Sequence, residues 1–176
     1  GNSPDDYKIG YLSQMTAIND HFPSAKKIFI SSTRIYSGYS NIIVDENTPP
    51  KPSDEQGEII ELYESEALKH GNNFVLRLGG LITHKSNFVK LVLDKQLFLD
   101  NKYINGIFIS DVINLMAKIM QEGIGQQLIN VIMPKYMKYS DFDSAFKGEP
   151  VNAAVKSIHY NDCLLYTSDA ADEEDS

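Results

Sequence analysis

The stretch Lys26–Ser37, KKIFISSTRIYS, decides the fold. Its apolar run Ile28-Phe29-Ile30 does not alternate with polar residues, which predicts a strand buried on both faces. The hydroxyl series Ser31-Ser32-Thr33 falls where that strand must end. Upstream, Ser3 has the chemistry of a helix N-cap, with Pro4 at the first helical position and Asp5 and Asp6 in the first turn, where the helix dipole favours anions. Tyr11, Met15, Ile18 and Phe22 then recur at helical spacing as one apolar stripe. A helix followed by a buried strand is the rhythm of α/β folds.

The same alternation continues downstream. Residues 37–52 hold Gly, Asn, Asp and Pro in the density of a long surface loop. Ser53, with Gln56 three residues on, has the capping-box pattern for a helix through Ile59, Ile60, Tyr63 and Ala67, ended by Gly71. Asn73–Leu78, NFVLRL, predicts a second buried strand, and a helix over 86–97 follows. Tyr103–Phe108 predicts a short strand, and Ser110 caps a helix carrying Val112, Ile113, Leu115, Met116, Ile119 and Met120, with Gly123 as its stop. Leu128–Met133 is a third strand, and Ser140 starts a last helix. Helices alternating with buried strands predict a doubly wound parallel sheet covered on both sides.

Of the chain's 176 residues 42% are hydrophobic and 23% charged, and no apolar run approaches the ~18 to 20 residues that span a bilayer, so no membrane partner is expected. With one Cys and no ligand spacing among His21, His70, His84 and His159, no metal is expected. The absence of a basic segment followed by an apolar core points to a cytoplasmic protein. Of the net charge of −8, five acids and no base lie in 163–176, CLLYTSDAADEEDS. That leaves 19 acids against 16 bases in 1–162. The tail has the composition of a disordered segment, and without a basic patch no nucleic-acid partner is expected. The run Cys163–Glu173 is also similar to the in-frame translation of a transposase sequencing adapter, which implies a non-native tail over 163–176.

Four motifs stand in order over residues 4–148: SSTRIYS, VDENTPPKPSDEQGEIIELYESEAL, FVLRLGGL and GIFISDVINLMAKIM. Together they resemble the C-terminal two-thirds of an extended short-chain dehydrogenase/reductase of the NAD-dependent epimerase/dehydratase type, closest to its atypical branch. The resemblance implies a Rossmann-type α/β fold over 1–162, with elements of a C-terminal substrate lobe and with the N-terminal βαβ portion missing. It implies NAD or NADP as cofactor and a nucleotide-sugar or small carbonyl compound as substrate. A homodimer through the helix from Asp54 also follows from it. The glycine turn that seats a pyrophosphate on a helix N-terminus has no counterpart in this sequence.

The family pairs a Ser or Thr with a Tyr-x-x-x-Lys, in which the ammonium favours the phenolate of a group with pKa near 10. By the resemblance Ser32 is the catalytic hydroxyl, four residues before Tyr36. Ser31, Ser32, Thr33, Gly79, Gly80 and Leu81 are the expected cofactor contacts. The Tyr and Lys positions are occupied by Gln56 and Ile60. An amide neither takes nor gives a proton at a useful pKa, and an isoleucine lowers no neighbour's pKa. Tyr63, on the same helix face, lies ~10 Å further along the axis, and His84, Lys85 and Lys90 follow the second strand.

Structural roles compete with each of these. Gln56 also suits a helix cap, and Ser32 a backbone hydrogen bond. Asp111 suits a first-turn helix acid and Arg77 a buried ion pair. The sequence is therefore expected to encode an NAD(P)-binding oxidoreductase/epimerase-like protein with a degenerate Tyr/Lys pair. A non-catalytic NAD(P)-binding sensor or scaffold module is the alternative, and an unrelated doubly wound binding domain a third reading.

Overall fold

The computed structural model describes residues 4–39, 42–83, 103–122, 125–134 and 137–138. The expected helices over 86–97 and from Ser140, the tail 163–176, and His84, Lys85 and Lys90 lie outside them. The chain divides into two compact units, Gly1–Leu78 with Ile119–Asn130, and Gly79–Lys118 with Val131–Ser176.

In the first unit the N-terminal helix comes in three pieces: α1 (Pro4–Tyr7), a π-helical turn (Lys8–Ser13) and α2 (Gln14–His21). The wider i→i+5 turn ends before Met15, so Met15, Ile18 and Asn19 share one α-helical phase. Met15 is buried and Tyr11 partly so, as expected, but Ile18 is exposed, and Phe22 stands one residue past the helix end in solvent. Asn19 turns inward instead, where its Oδ1 accepts from Asn73 Nδ2 at 3.2 Å.

The run after Lys26 is β1 (Lys27–Ser32), which leads into a 3-10 turn (Thr33–Tyr36). Helix α3 (Glu55–Ala67) then crosses back to β2 (Asn73–Leu78). β1 and β2 pair in parallel from Lys27 opposite Asn73 to Ser32 opposite Leu78. With β6 (Leu128–Val131) they form a sheet in the order β1–β2–β6, so β2 is central and all six of its residues are buried. β1 departs from the expectation of two covered faces: Lys27, Phe29 and Ser31 are buried, whereas Ile30 is exposed. β1 is an edge strand of this sheet among the described residues, and its pleat buries only alternate side chains fully.

Met15, Phe29, Tyr63, Ala67 and Val75 form one core between the N-terminal helices, α3 and the sheet. Ile35, Tyr36 and Ile60 form a second under Tyr39 and Val44. Lys26 reaches to the end of the helix Ile109–Gln121, where its Nζ donates to the carbonyls of Ile119 at 3.1 Å and Met120 at 3.3 Å. A cation there suits the negative end of the helix dipole.

The second unit holds β3 (Gly80–Ile82), β4 (Tyr103–Ile104), β5 (Gly106–Phe108), most of α4 (Ile109–Gln121) and β7 (Met137–Lys138). β3 pairs with β5 in parallel and β4 with β7 antiparallel. The single strand expected over Tyr103–Phe108 is thus two, interrupted at Asn105, whose carbonyl accepts from Gly80 N at 2.6 Å. Helix α4 begins one residue before Ser110, so that serine lies inside the first turn rather than capping it. Of its apolar residues Val112, Leu115 and Ile119 are buried, whereas Ile113 and Met120 are exposed.

Candidate functional site

The end of β1 is shaped by local hydrogen bonds. Ser32 is the N-cap of the 3-10 turn, and its Oγ accepts from Arg34 N at 3.2 Å. This bond uses a lone pair of Ser32 Oγ and not its proton, so the half-buried hydroxyl can still donate. Thr33, also half-buried, opens the turn. Ser31 points the other way: buried, it donates its hydroxyl hydrogen to Glu64 Oε1.

Opposite this turn stands the first turn of α3. Its N-cap is Asp54, not Ser53, and Asp54 Oδ1 accepts from Gly57 N at 2.8 Å. The reason is Arg34, whose Nε donates to both carboxylate oxygens at 3.0 and 3.1 Å and whose Nη2 donates to Oδ2 at 2.7 Å. This fork draws Asp54 into the cap position. The Arg34 hydrogen bonds, then the Gly57 amide, hold the Asp54 carboxyl below its ordinary range. Ser53 instead donates to Ser37 Oγ at 2.8 Å. Gln56, half-buried, is the second residue of the helix and follows an established cap.

Four residues on, Ile60 is 2% exposed and packs with Ile35 and Tyr36. Tyr63 belongs to the other core, edge-on to Tyr11 at 5.0 Å and to Phe29 at 5.8 Å. Burial, then the neighbouring Tyr11 and Glu64, pushes its phenol well above the usual range.

Beneath the strand ends lies a buried polar cluster. Arg77, on the central strand, donates from Nε to Glu64 Oε1 at 3.1 Å and Oε2 at 3.0 Å, and from Nη2 to Oε2 at 2.7 Å. Both side chains are 3% exposed. Arg77 Nη1 donates to the Tyr36 hydroxyl, and its guanidinium lies 5.0 Å from the centre of that ring. Tyr36 in turn donates to Asp45 O at 2.7 Å and toward Asn130 Oδ1 at 3.3 Å. Arg77 is therefore in the buried ion pair considered from sequence. Glu64 escaped the sequence reading although a signal existed: an acid on the apolar face of a helix, one turn after Ile60, calls for a buried cation.

The other expected contacts belong to the second unit. Gly79 is required by close packing, since a Cβ there would collide with Asn105 O and come within 2.9 Å of Ile132 Cγ2. Gly80 has ordinary room, its nearest neighbour 3.6 Å away, and Leu81 is exposed. Asp111 is 5% exposed, its Oδ2 has no hydrogen-bond partner among the described residues, and burial raises its carboxyl above the usual range. Among the described residues no three His, Cys, Asp or Glu cluster as metal ligands, and no helix is long and apolar enough to cross a membrane.

No family model and no curated protein matches the sequence. Solved structures do match the fold. ADP-L-glycero-D-manno-heptose-6-epimerase from Helicobacter pylori superposes with a TM-score of 0.69 at 17% identity, over 94% of this chain and 62% of its own. An NAD-dependent epimerase/dehydratase from Methylobacillus flagellatus gives 0.63 at 17%, over 88% and 60%. The Bordetella bronchiseptica enzyme WbmG, solved with NAD and UDP, gives 0.64 at 14%, over 92% and 58%. The fold is the Rossmann-like α/β fold of these proteins. The chain spans about three-fifths of their length.

Proposed function

We propose that this chain is part of an NAD(P)-binding, epimerase/dehydratase-like protein in which the strand-end hydroxyl is retained and the proton-transfer device is lost. The observation that carries the reading is the pairing of a β1 end of this fold, bearing a half-buried Ser32 hydroxyl, with an α3 face whose second and sixth residues after Asp54 of the Arg34–Asp54 clamp offer nothing that titrates. Ile60 stands among apolar side chains where a lysine would have to lower a phenol's pKa, and Gln56 offers only an amide.

The dinucleotide comes into the proposal from the fold and from what WbmG binds. Ser32 and Thr33 suit it as hydroxyl donors to a ribose or carbonyl oxygen at the C-terminal end of a parallel strand, where such sheets hold ligands. Ser31 serves by fixing the strand end through Glu64. A nicotinamide, when bound, would supply hydride acceptance. The described residues supply no pyrophosphate-seating glycine turn, so they fit only one end of such a cofactor.

The second reading, a module that binds the dinucleotide without turnover, is favoured by the burial of Ile60. Calorimetric titration with NAD and with NADP tests both, using the chain joined to whatever its gene encodes upstream. Micromolar binding of one cofactor is expected, with no turnover of nucleotide sugars or small carbonyl compounds. Failure to bind either cofactor overturns the proposal, and turnover that survives Ser32→Ala and Gln56→Ala removes the site assigned to it.

A further inference from the structure

Residues 39–52 join the Ser32 turn to α3, the two pieces that face each other at the strand end. The neck of this loop is closed by main-chain bonds: Gly38 N to Lys51 O at 2.7 Å and Lys51 N to Ile35 O at 2.8 Å. Ser53 N adds a bond to Ser37 Oγ at 2.9 Å. Within the loop Asp45 folds a tight turn, its Oδ1 accepting from Asn47 N at 3.0 Å and Thr48 N at 2.9 Å. Yet Ile42 and Ile43 are 56% and 75% exposed. Apart from the half-buried Tyr39, Val44, Pro50 and Pro52, the described part of the loop inserts little apolar surface to hold it down.

Two polar fastenings hold its descending arm to the unit. One is the Tyr36 hydroxyl, which donates to Asp45 O. The other is Glu46, whose Oε1 accepts from Asn130 N at 2.8 Å. Both lead to the same place, because Tyr36 also reaches Asn130 and is itself gripped by Arg77 from the central strand.

We infer that Tyr36 is a latch: its hydroxyl, oriented by Arg77, fixes residues 42–48 against the sheet, and with them the spacing between the Ser32 turn and the first turn of α3. Tyr36 is a positioning residue in this scheme, acting through Asp45 and Asn130, and it needs no bound dinucleotide to do so. The Glu64–Arg77 pair then does more than neutralise two buried charges. It holds the donor that keeps the latch closed.

The reporter is the Asn130 amide, whose acceptor belongs to the loop although 84 residues separate the two in sequence. In Tyr36→Phe the ring packing and the guanidinium contact remain and only the hydroxyl goes. Hydrogen exchange on the 176-residue chain, read residue by residue, should show Asn130 N–H accelerated about tenfold, the scale of one lost hydrogen bond to a local opening. Val75 N–H, bonded at 2.7 Å to Gln127 O within the sheet, should be unchanged. Glu46→Ala, which removes the other fastening from the loop side, should accelerate Asn130 as well. Unchanged exchange at Asn130 in Tyr36→Phe overturns the latch. So does equal acceleration of Asn130 and Val75, including through wholesale loss of structure, because Tyr36 would then be core and nothing more.

Discussion

Replacing Arg77 by Met should be among the most damaging single substitutions in the first unit. The guanidinium supplies three hydrogen bonds to Glu64, at 3.1, 3.0 and 2.7 Å, and a fourth to Tyr36. With Arg77 gone, Glu64 keeps the Ser31 hydroxyl as its donor in a site 2% exposed. Orphaning a buried charge of this kind costs about 3–5 kcal/mol. That is a large share of the ~5–15 kcal/mol available to a domain. With a urea dependence of about 1–3 kcal/mol per molar, the unfolding midpoint followed by circular dichroism should fall by at least ~1 M. Glu64→Leu combined with Arg77→Met should recover most of the loss, because two apolar side chains of similar bulk need no partner. A loss under ~1 kcal/mol in the single variant, the scale of an exposed pair, would refute the reasoning. A double variant as unstable as the sum of the two singles would refute it too.

Ile60→Lys should cost about 3–5 kcal/mol as an unpaired ammonium among Ile35 and Tyr36, and Gln56→Tyr with Ile60→Lys should gain no turnover. A fully stable double variant with new activity would show that this helix face is solvated. Gly79→Ala should destabilise by ~1–3 kcal/mol in thermal melts because its Cβ meets the Asn105 carbonyl, whereas Gly80→Ala should be close to neutral. The two buried or bonded aspartates should respond to pH with opposite sign. Asp54, whose folded pKa is lowered, contributes stability that is complete above the unfolded value of ~3.9 and is lost as pH falls through the folded one, so Asp54→Asn should flatten the acid limb. Asp111, whose folded pKa is raised, loses stability as pH rises through that value, so Asp111→Asn should be stabilising at pH 7 and indifferent below the unfolded pKa. Equal effects of Asp111→Asn at both ends of the pH range would contradict the burial account.

Among the described residues the succession β1, α3, β2, α4, β6 was legible because runs such as NFVLRL carry their burial in composition, and β2 is buried at every position, whereas the short strands β3 and β7 were not. β1 was harder. Ile28-Phe29-Ile30 reads as doubly buried, but whether Ile30 is covered depends on what lies against that face, which no local pattern records. The N-terminal stripe failed after Met15 because the buried face of α2 runs from Met15 to Asn19, which pairs with Asn73, and not to Ile18. At the site, Ser32 stood where expected, at the end of its strand. The cap moved from Ser53 to Asp54 because a cation twenty residues away, Arg34, chose between two neighbouring candidates. Long-range electrostatic selection of this kind leaves no trace in spacing.

The bonds from Lys26 to the end of α4, and from Glu46 and Tyr36 to Asn130, bear on how the protein is made. The first unit is discontinuous: its early part ends at Leu78 and it is completed by Ile119–Asn130. Lys26 and its carbonyl partner at Ile119 are 93 residues apart. A ribosome adding about 5–20 residues per second delivers that partner ~5–20 s after the lysine. During this interval β2 lacks its neighbour β6, and its apolar edge is open to other nascent chains. The first unit cannot close during synthesis until the chain has passed residue 130, so a slow stretch of translation after Leu78 would prolong exposure of the unpaired β2 edge.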